Sequence, residues 1–141
     1  MRAEVLIQSA AARVQGLGGW RRRWAAFAAG SLSVLAMAPF FAWPVLWIAL
    51  PVLVWLLDGA VAEGGSGWRP AGRAAEVGWW FGFGYFLFGL FWIGEAFLVE
   101  AEVFAVLIPF AVTLLPAGLA LFFATATGLV ARLWKPGWGR V

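Results

Sequence analysis

Three long stretches without a charged residue constrain the fold of this 141-residue chain more than any other feature of its sequence. They are residues 24–57, 77–94 and 103–131. About 20 apolar residues in helical form are enough to cross the hydrocarbon core of a bilayer. The chain is 64% hydrophobic and 12% charged, which leaves too little polar surface to cover a water-soluble globule. The sequence therefore predicts an all-α membrane protein.

The first uncharged stretch is too long for a single pass. At about 1.5 Å per residue its helix would far exceed a hydrocarbon core about 30 Å thick. Pro39 and Pro44 lie in its middle beside Trp43, and prolines restrict the preceding residue and remove backbone donors. We therefore predict a break here and four membrane helices. The predicted membrane domain is 24–133, with helices at about 24–38, 44–57, 77–98 and 103–133.

The placement of charge predicts the orientation of these passes. All ten basic residues flank one side of the predicted membrane domain: Arg2, Arg13, Arg21, Arg22, Arg23, Arg69, Arg73, Arg132, Lys135 and Arg140. Cytoplasmic loops carry an excess of Lys and Arg, so we expect both termini in the cytoplasm. The predicted cytoplasmic parts are an N-terminal segment 1–23, a loop 58–76 and a tail 134–141. Residues 4–14 are a candidate amphipathic helix on that surface.

The composition excludes several classes of function. The chain has no Cys and no His, so thiolate nucleophiles, imidazole bases and most zinc or haem sites are absent from its 141 residues. The basic residues lie at the ends of apolar runs and form no single polar face, which argues against nucleic-acid binding. We predict no catalytic residue, metal or cofactor in this chain.

Small residues recur along the predicted third pass, at Gly78, Gly82, Gly84 and Gly89. Glycines at such spacing allow membrane helices to approach closely. We predict that these four residues serve helix packing, with a partner in this chain, in a longer protein or in a second copy.

The predicted outer boundary combines aromatic and acidic side chains. Most of the aromatic residues of the third pass are explained by contact with lipid. Phe91, Trp92, Glu95 and Phe97 are the candidate substrate-binding residues, at an opening where acyl chains enter from the outer leaflet. Glu95 lies three residues after Trp92, and an ionisable group inside an apolar boundary is often functional.

Three segments resemble the apolipoprotein N-acyltransferase family. Residues 35–44, LAMAPFFAWP, look like the first hairpin of that family. Residues 78–86, GWWFGFGYF, followed by 89–93, GLFWI, are similar to its third helix. The Pro-Phe pair at 109–110 and the PAG sequence at 116–118 resemble its fourth helix. The resemblance covers nearly all of the chain after Trp24.

The resemblance implies an enzyme of the bacterial inner membrane. That enzyme moves an acyl chain from a phospholipid to the amino group of the diacylglyceryl-Cys of a lipoprotein. Its periplasmic nitrilase-like domain carries a Glu, Lys, Cys triad, which this chain lacks. We expect a membrane fragment that is inactive alone and whose partners in the whole enzyme are phospholipid and lipoprotein. The alternative is a small four-helix transporter or scaffold.

Overall fold

The computed structural model describes residues 2–65, 67–91 and 108–133, and these residues are helical with no strand among them. The prediction of an all-α architecture is confirmed for these residues. The described part contains five α-helices: α1 (Arg2–Gln15), α2 (Gly19–Ser33), α3 (Leu46–Glu63), α4 (Arg69–Gly89) and α5 (Ile108–Leu133).

Helix α4 lies at the centre of the bundle. It packs against α5 along much of its length and also contacts α2 and α3, while α1 packs on α3. Half of the buried cluster between α2, α3 and α4 is alanine; the cluster consists of Ala26, Ala29, Leu56, Ala60, Val77 and Phe81. Because alanine side chains are short, the helix backbones approach closely, as is common between membrane helices.

The chain reverses direction between α2 and α3 around the two prolines of the first uncharged stretch. Two short 3₁₀ turns, Val34–Ala36 and Trp43–Val45, flank the reversal, and the Ala38–Pro39 peptide bond is cis. The Ala42 amide donates to the Leu35 carbonyl over 2.9 Å, which links the two sides of the turn. Helix α3 then begins in the first turn after the second proline.

Three helices extend further into the polar segments than the sequence predicts. Helix α2 begins at Gly19, whereas the prediction places its start at about residue 24. Helix α3 continues to Glu63 and α4 begins at Arg69, so the connection between them is 64–68 and not the predicted 58–76. Ion pairs between these helix ends explain the difference, because they stabilise charged residues within helical turns.

Two of the described segments are long and apolar enough to cross a membrane, Trp43–Glu63 and Pro109–Leu133. Helix α2 has 15 residues, and the first two turns of α4 carry Arg73 and Glu76. Four complete passes and cytoplasmic termini therefore stay predictions.

Candidate functional site

The predicted opening for acyl chains is represented by one described residue. Phe91 lies just after α4 ends at Gly89, and 66% of its surface is exposed. An exposed aromatic ring here is available to contact lipid. Trp92, Glu95 and Phe97 lie outside the described residues.

The glycines of α4 that face α5 lie where a side chain has no room. A Cβ at Gly78 would overlap Thr127 Oγ1 and lie 2.7 Å from the Phe123 carbonyl oxygen. A Cβ at Gly82 would lie 2.9 Å from Phe123 Cβ. Thr127 Oγ1 lies 2.9 Å from the Ala74 carbonyl oxygen of α4 and 2.8 Å from the Phe123 carbonyl oxygen of its own helix, so its one proton is shared between these acceptors. Close approach and an interhelical hydrogen bond thus join α4 to α5.

Helix α4 meets α2 through a reciprocal pair of glycines. A Cβ at Gly84 would overlap the Phe27 carbonyl oxygen of α2, and a Cβ at Gly30 would overlap the Phe81 carbonyl oxygen of α4. Gly89 differs, because a Cβ there would lie 3.9 Å from a methyl carbon of Val34, which is an ordinary contact. Gly30 is not among the glycines predicted to serve helix packing, although the small residues around it in α2 are a signal of close packing.

Aromatic rings of α4 contact one another and the neighbouring helices α2 and α5. Trp79 stacks on Phe83 with centroids 5.1 Å apart, and Trp20 meets Trp80 edge-on at 6.0 Å. The Trp79 indole also donates to the Ala117 carbonyl over 3.2 Å, which adds a second polar link to α5. These rings therefore connect helices as well as presenting apolar surface to their surroundings.

An ion-pair network joins the ends of α2, α3 and α4. Arg22 Nη2 lies 2.7 Å from Glu63 Oε1, and Arg73 Nη1 lies 2.9 Å from Glu63 Oε2. Arg23 pairs with Glu76 one turn further along α4. The network holds three helix ends together at one end of the bundle, which we call the charged end.

Arg22 is the buried member of this network. Its side chain is 8% exposed, while that of Glu63 is 43% exposed. The Arg22 Nε and Nη2 groups have no aligned hydrogen-bond acceptor in the described part of the chain, although Nη2 is in ion-pair contact with Glu63. Burying a guanidinium is costly unless a carboxylate compensates its charge, so the proximity of Glu63 is essential to this end of the fold.

The charged end includes α5 as well. The Arg132 guanidinium carbon lies 3.4 Å from the ring centroid of Trp68, which precedes α4, in a cation–π contact. The described residues 24–57, 77–91 and 108–131 contain no charged side chain. Charge is therefore segregated to one end of the described bundle.

A groove of about 1560 Å³ opens between α3 and α5 near the charged end. Its apolar walls include Val54, Leu57 and Val130, and Asp58 and Arg132 lie at its polar edge. The described residues contain no group of three or more His, Cys, Asp or Glu side chains able to hold a metal ion. The arrangement is suited to helix packing and contact with lipid.

The chain is similar in sequence to a known family of proteins. Residues 29–140 match the family profile described as the apolipoprotein N-acyltransferase N-terminal domain. An apolipoprotein N-acyltransferase of Rhodopseudomonas palustris is 57% identical over 118 residues, which is 84% of this chain and 22% of that protein. The Brucella suis protein of the same name is 49% identical over 139 residues, covering 96% of this chain and 26% of that protein.

A third relative, from Sinorhizobium medicae, is 47% identical over 132 residues. No solved structure matches the chain significantly. The chain spans about a quarter of the length of these curated relatives. The profile match and the three relatives together show that the chain belongs to the apolipoprotein N-acyltransferase family and corresponds to its N-terminal domain.

Proposed function

We propose that this chain forms the N-terminal membrane part of an enzyme that transfers an acyl chain from phospholipid to the diacylglyceryl-Cys of lipoproteins. The observation that carries the proposal is the match of residues 29–140 to the N-terminal domain of that family. The chain contains no Cys, so the nucleophile that the family resemblance implies belongs to a part of the enzyme outside these 141 residues.

The orientation that we propose follows from the segregation of charge. The charged end contains Arg22, Arg23, Arg73 and Arg132, and the positive-inside rule assigns such an end to the cytoplasm. With four passes through the inner membrane, the α2–α3 turn and the segment between α4 and α5 then face the periplasm. The same rule leaves both termini in the cytoplasm.

The share of this domain in the reaction is to anchor the enzyme and to contact its lipid substrate. Close packing at Gly78, Gly82 and Gly84 supports a rigid platform. Phe91, at the opposite end of α4 from the charged end, lies at the start of the segment that includes Trp92, Glu95 and Phe97. We propose that this segment borders the site where phospholipid acyl chains enter.

A chimeric enzyme tests the proposed function. This chain replaces the matching N-terminal region of the Rhodopseudomonas palustris relative in a strain depleted of its own N-acyltransferase. We expect mass spectrometry of lipoprotein N-terminal peptides to show the additional acyl chain. The relative's remaining segment without this domain serves as the control and should not support acylation. A chimera that inserts into the membrane but leaves lipoproteins without the additional acyl chain contradicts the proposal.

The same chimera tests the proposed lipid-contacting segment. Trp92→Ala and Glu95→Gln should lower the rate of acylation, whereas Glu100→Gln, a change of the same kind in the same acidic connection, should leave it near the parent value. Equal rates for all three variants would exclude Trp92 and Glu95 from the lipid site without affecting the assignment of the domain.

A further inference from the structure

Helix α1 is held beside the charged end by its C-terminal turn. A Cβ at Gly59 of α3 would overlap the Gln15 carbonyl oxygen, so the two backbones are in close contact. Val14 packs against the buried cluster of the bundle, and Leu17 in the following connection does the same. The position of α1 relative to the end of α3 is therefore defined by contacts.

One side of α1 is apolar along its whole length. At 3.6 residues per turn, Leu6, Ile7, Ala10 and Val14 fall on one side of the helix. The opposite side carries Val5, Gln8, Ser9 and Ala12, whereas Arg13, seven residues after Leu6, lies beside the apolar side. Val14 is half-buried against the bundle, but 68% of Leu6 and 58% of Ile7 are exposed. The apolar side that packs on the protein near Val14 thus continues uncovered toward the N-terminus.

The end of the bundle to which α1 is attached is cationic and contains exposed tryptophan. Arg13, Arg21 and Arg69 are exposed, and none of them forms an ion pair within the part of the chain that the structure describes. Trp20 and Trp68 are also exposed at this end. Cationic side chains are attracted to anionic phospholipid headgroups, and Trp is enriched at the membrane–water boundary.

We propose that α1 lies in the interface of an anionic phospholipid membrane, with Leu6, Ile7 and Ala10 inserted between the headgroups. An amphipathic helix with one apolar and one polar side is suited to this position. The packed end near Val14 directs the same apolar side toward the membrane that surrounds the bundle. This inference rests on α1, its contact with α3 and the nearby arginines, and it is independent of acyl transfer.

Nitroxide scanning tests the proposal on the whole chain. The chain has no Cys, so single-Cys variants carry one label each. The protein is reconstituted in vesicles of phosphatidylcholine with phosphatidylglycerol. Labels at Leu6→Cys, Ile7→Cys and Ala10→Cys should collide more with oxygen than with a water-soluble nickel complex. Labels at the matched positions Gln8→Cys, Ser9→Cys and Ala12→Cys should show the reverse, so that immersion follows the helical period.

The role of lipid charge is tested by comparing the depth of immersion in vesicles with and without phosphatidylglycerol. Immersion should be shallower in vesicles of phosphatidylcholine alone, and the double substitution Arg13→Gln with Arg21→Gln should remove the difference between the two kinds of vesicle. Equal depth in both kinds of vesicle with the parent chain would overturn the preference for anionic lipid. Labels at Leu6 and Ile7 that are shielded from oxygen and nickel alike would overturn the proposal and indicate a protein partner or a second copy.

Circular dichroism and thermal unfolding accompany each variant. All six labelled positions lie in the outward part of α1, so native helix content is expected. Retained helix content without periodic immersion would also overturn the proposal.

Discussion

Replacing Gly78 with alanine tests whether close packing between α4 and α5 stabilises this domain. The added Cβ would lie 2.7 Å from the Phe123 carbonyl oxygen, whereas ordinary contacts begin at 3.4 Å. The helices must therefore separate by about 0.7 Å, the difference between those two distances. Overpacking of a tight contact costs about 1–3 kcal/mol. Separation also weakens the hydrogen bond from Thr127 to Ala74, a type of bond worth about 0.6 kcal/mol in membrane proteins.

Gly72→Ala is the matched control because it makes the same chemical change in the same helix. Gly72 is exposed, and a Cβ there meets nothing within 4 Å. Any gain in intrinsic helix propensity is common to both variants, at most about 1 kcal/mol. We therefore expect the free energy of unfolding of Gly78→Ala to be lower than that of Gly72→Ala by about 1–3 kcal/mol.

Unfolding in mixed micelles by increasing sodium dodecyl sulfate provides the assay. The eleven Trp residues report tertiary packing by fluorescence, and circular dichroism reports helix content. Indistinguishable unfolding midpoints for Gly78→Ala and Gly72→Ala would show that the packing of α4 against α5 does not depend on the absence of a side chain at residue 78.

Two further comparisons use pairs of similar residues. Gly84→Ala should lower the unfolding midpoint more than Gly89→Ala, because only the first added Cβ would overlap a backbone oxygen; equal midpoints in the same micelle assay would contradict this difference. Glu63→Gln should lower the melting temperature more than Glu76→Gln, because it leaves the charge of the buried Arg22 uncompensated, whereas the arginine paired with Glu76 is 40% exposed. Calorimetry of both variants in the same detergent measures this effect, and a larger loss for Glu76→Gln would contradict it.

Features that depend on local chemistry could be predicted from the sequence. Prolines act on their own neighbourhood, so Pro39 and Pro44 indicated where the first uncharged stretch reverses direction. The length of the uncharged stretches indicated apolar helices, and Trp43–Glu63 and Pro109–Leu133 have the length and composition of spans.

Features that depend on distant partners could not be predicted in the same way. Arg23 and Glu76 are 53 positions apart, and no local pattern shows that they pair. Without such partners, charged residues near 19–23 and 58–76 favour loops, which is why the predicted starts of α2 and α4 are too late and the predicted end of α3 is too early. The ion pair of Arg22 with Glu63 stabilises helical turns that charge alone would disfavour.

The glycines of α4 also combine a feature that could be predicted from the sequence with one that could not. The spacing of Gly78, Gly82 and Gly84 predicts that they serve helix packing. Only the arrangement of the helices shows that the first two face α5 and the third faces α2. Gly89 fits the same spacing and yet has no close neighbour, because it lies in the last turn of α4. A helix therefore needs a small residue only at the positions where another helix crosses it closely.

The cytoplasmic position that we propose for the charged end is measured by single-Cys labelling. Ala62→Cys lies in the last turn of α3 at the charged end, and Phe40→Cys lies in the exposed turn at the opposite end. Spheroplasts are treated with a membrane-impermeant maleimide before or after lysis. We expect Phe40→Cys to react in intact spheroplasts and Ala62→Cys to react only after lysis. Reaction of Ala62→Cys in intact spheroplasts would contradict the cytoplasmic assignment of the charged end.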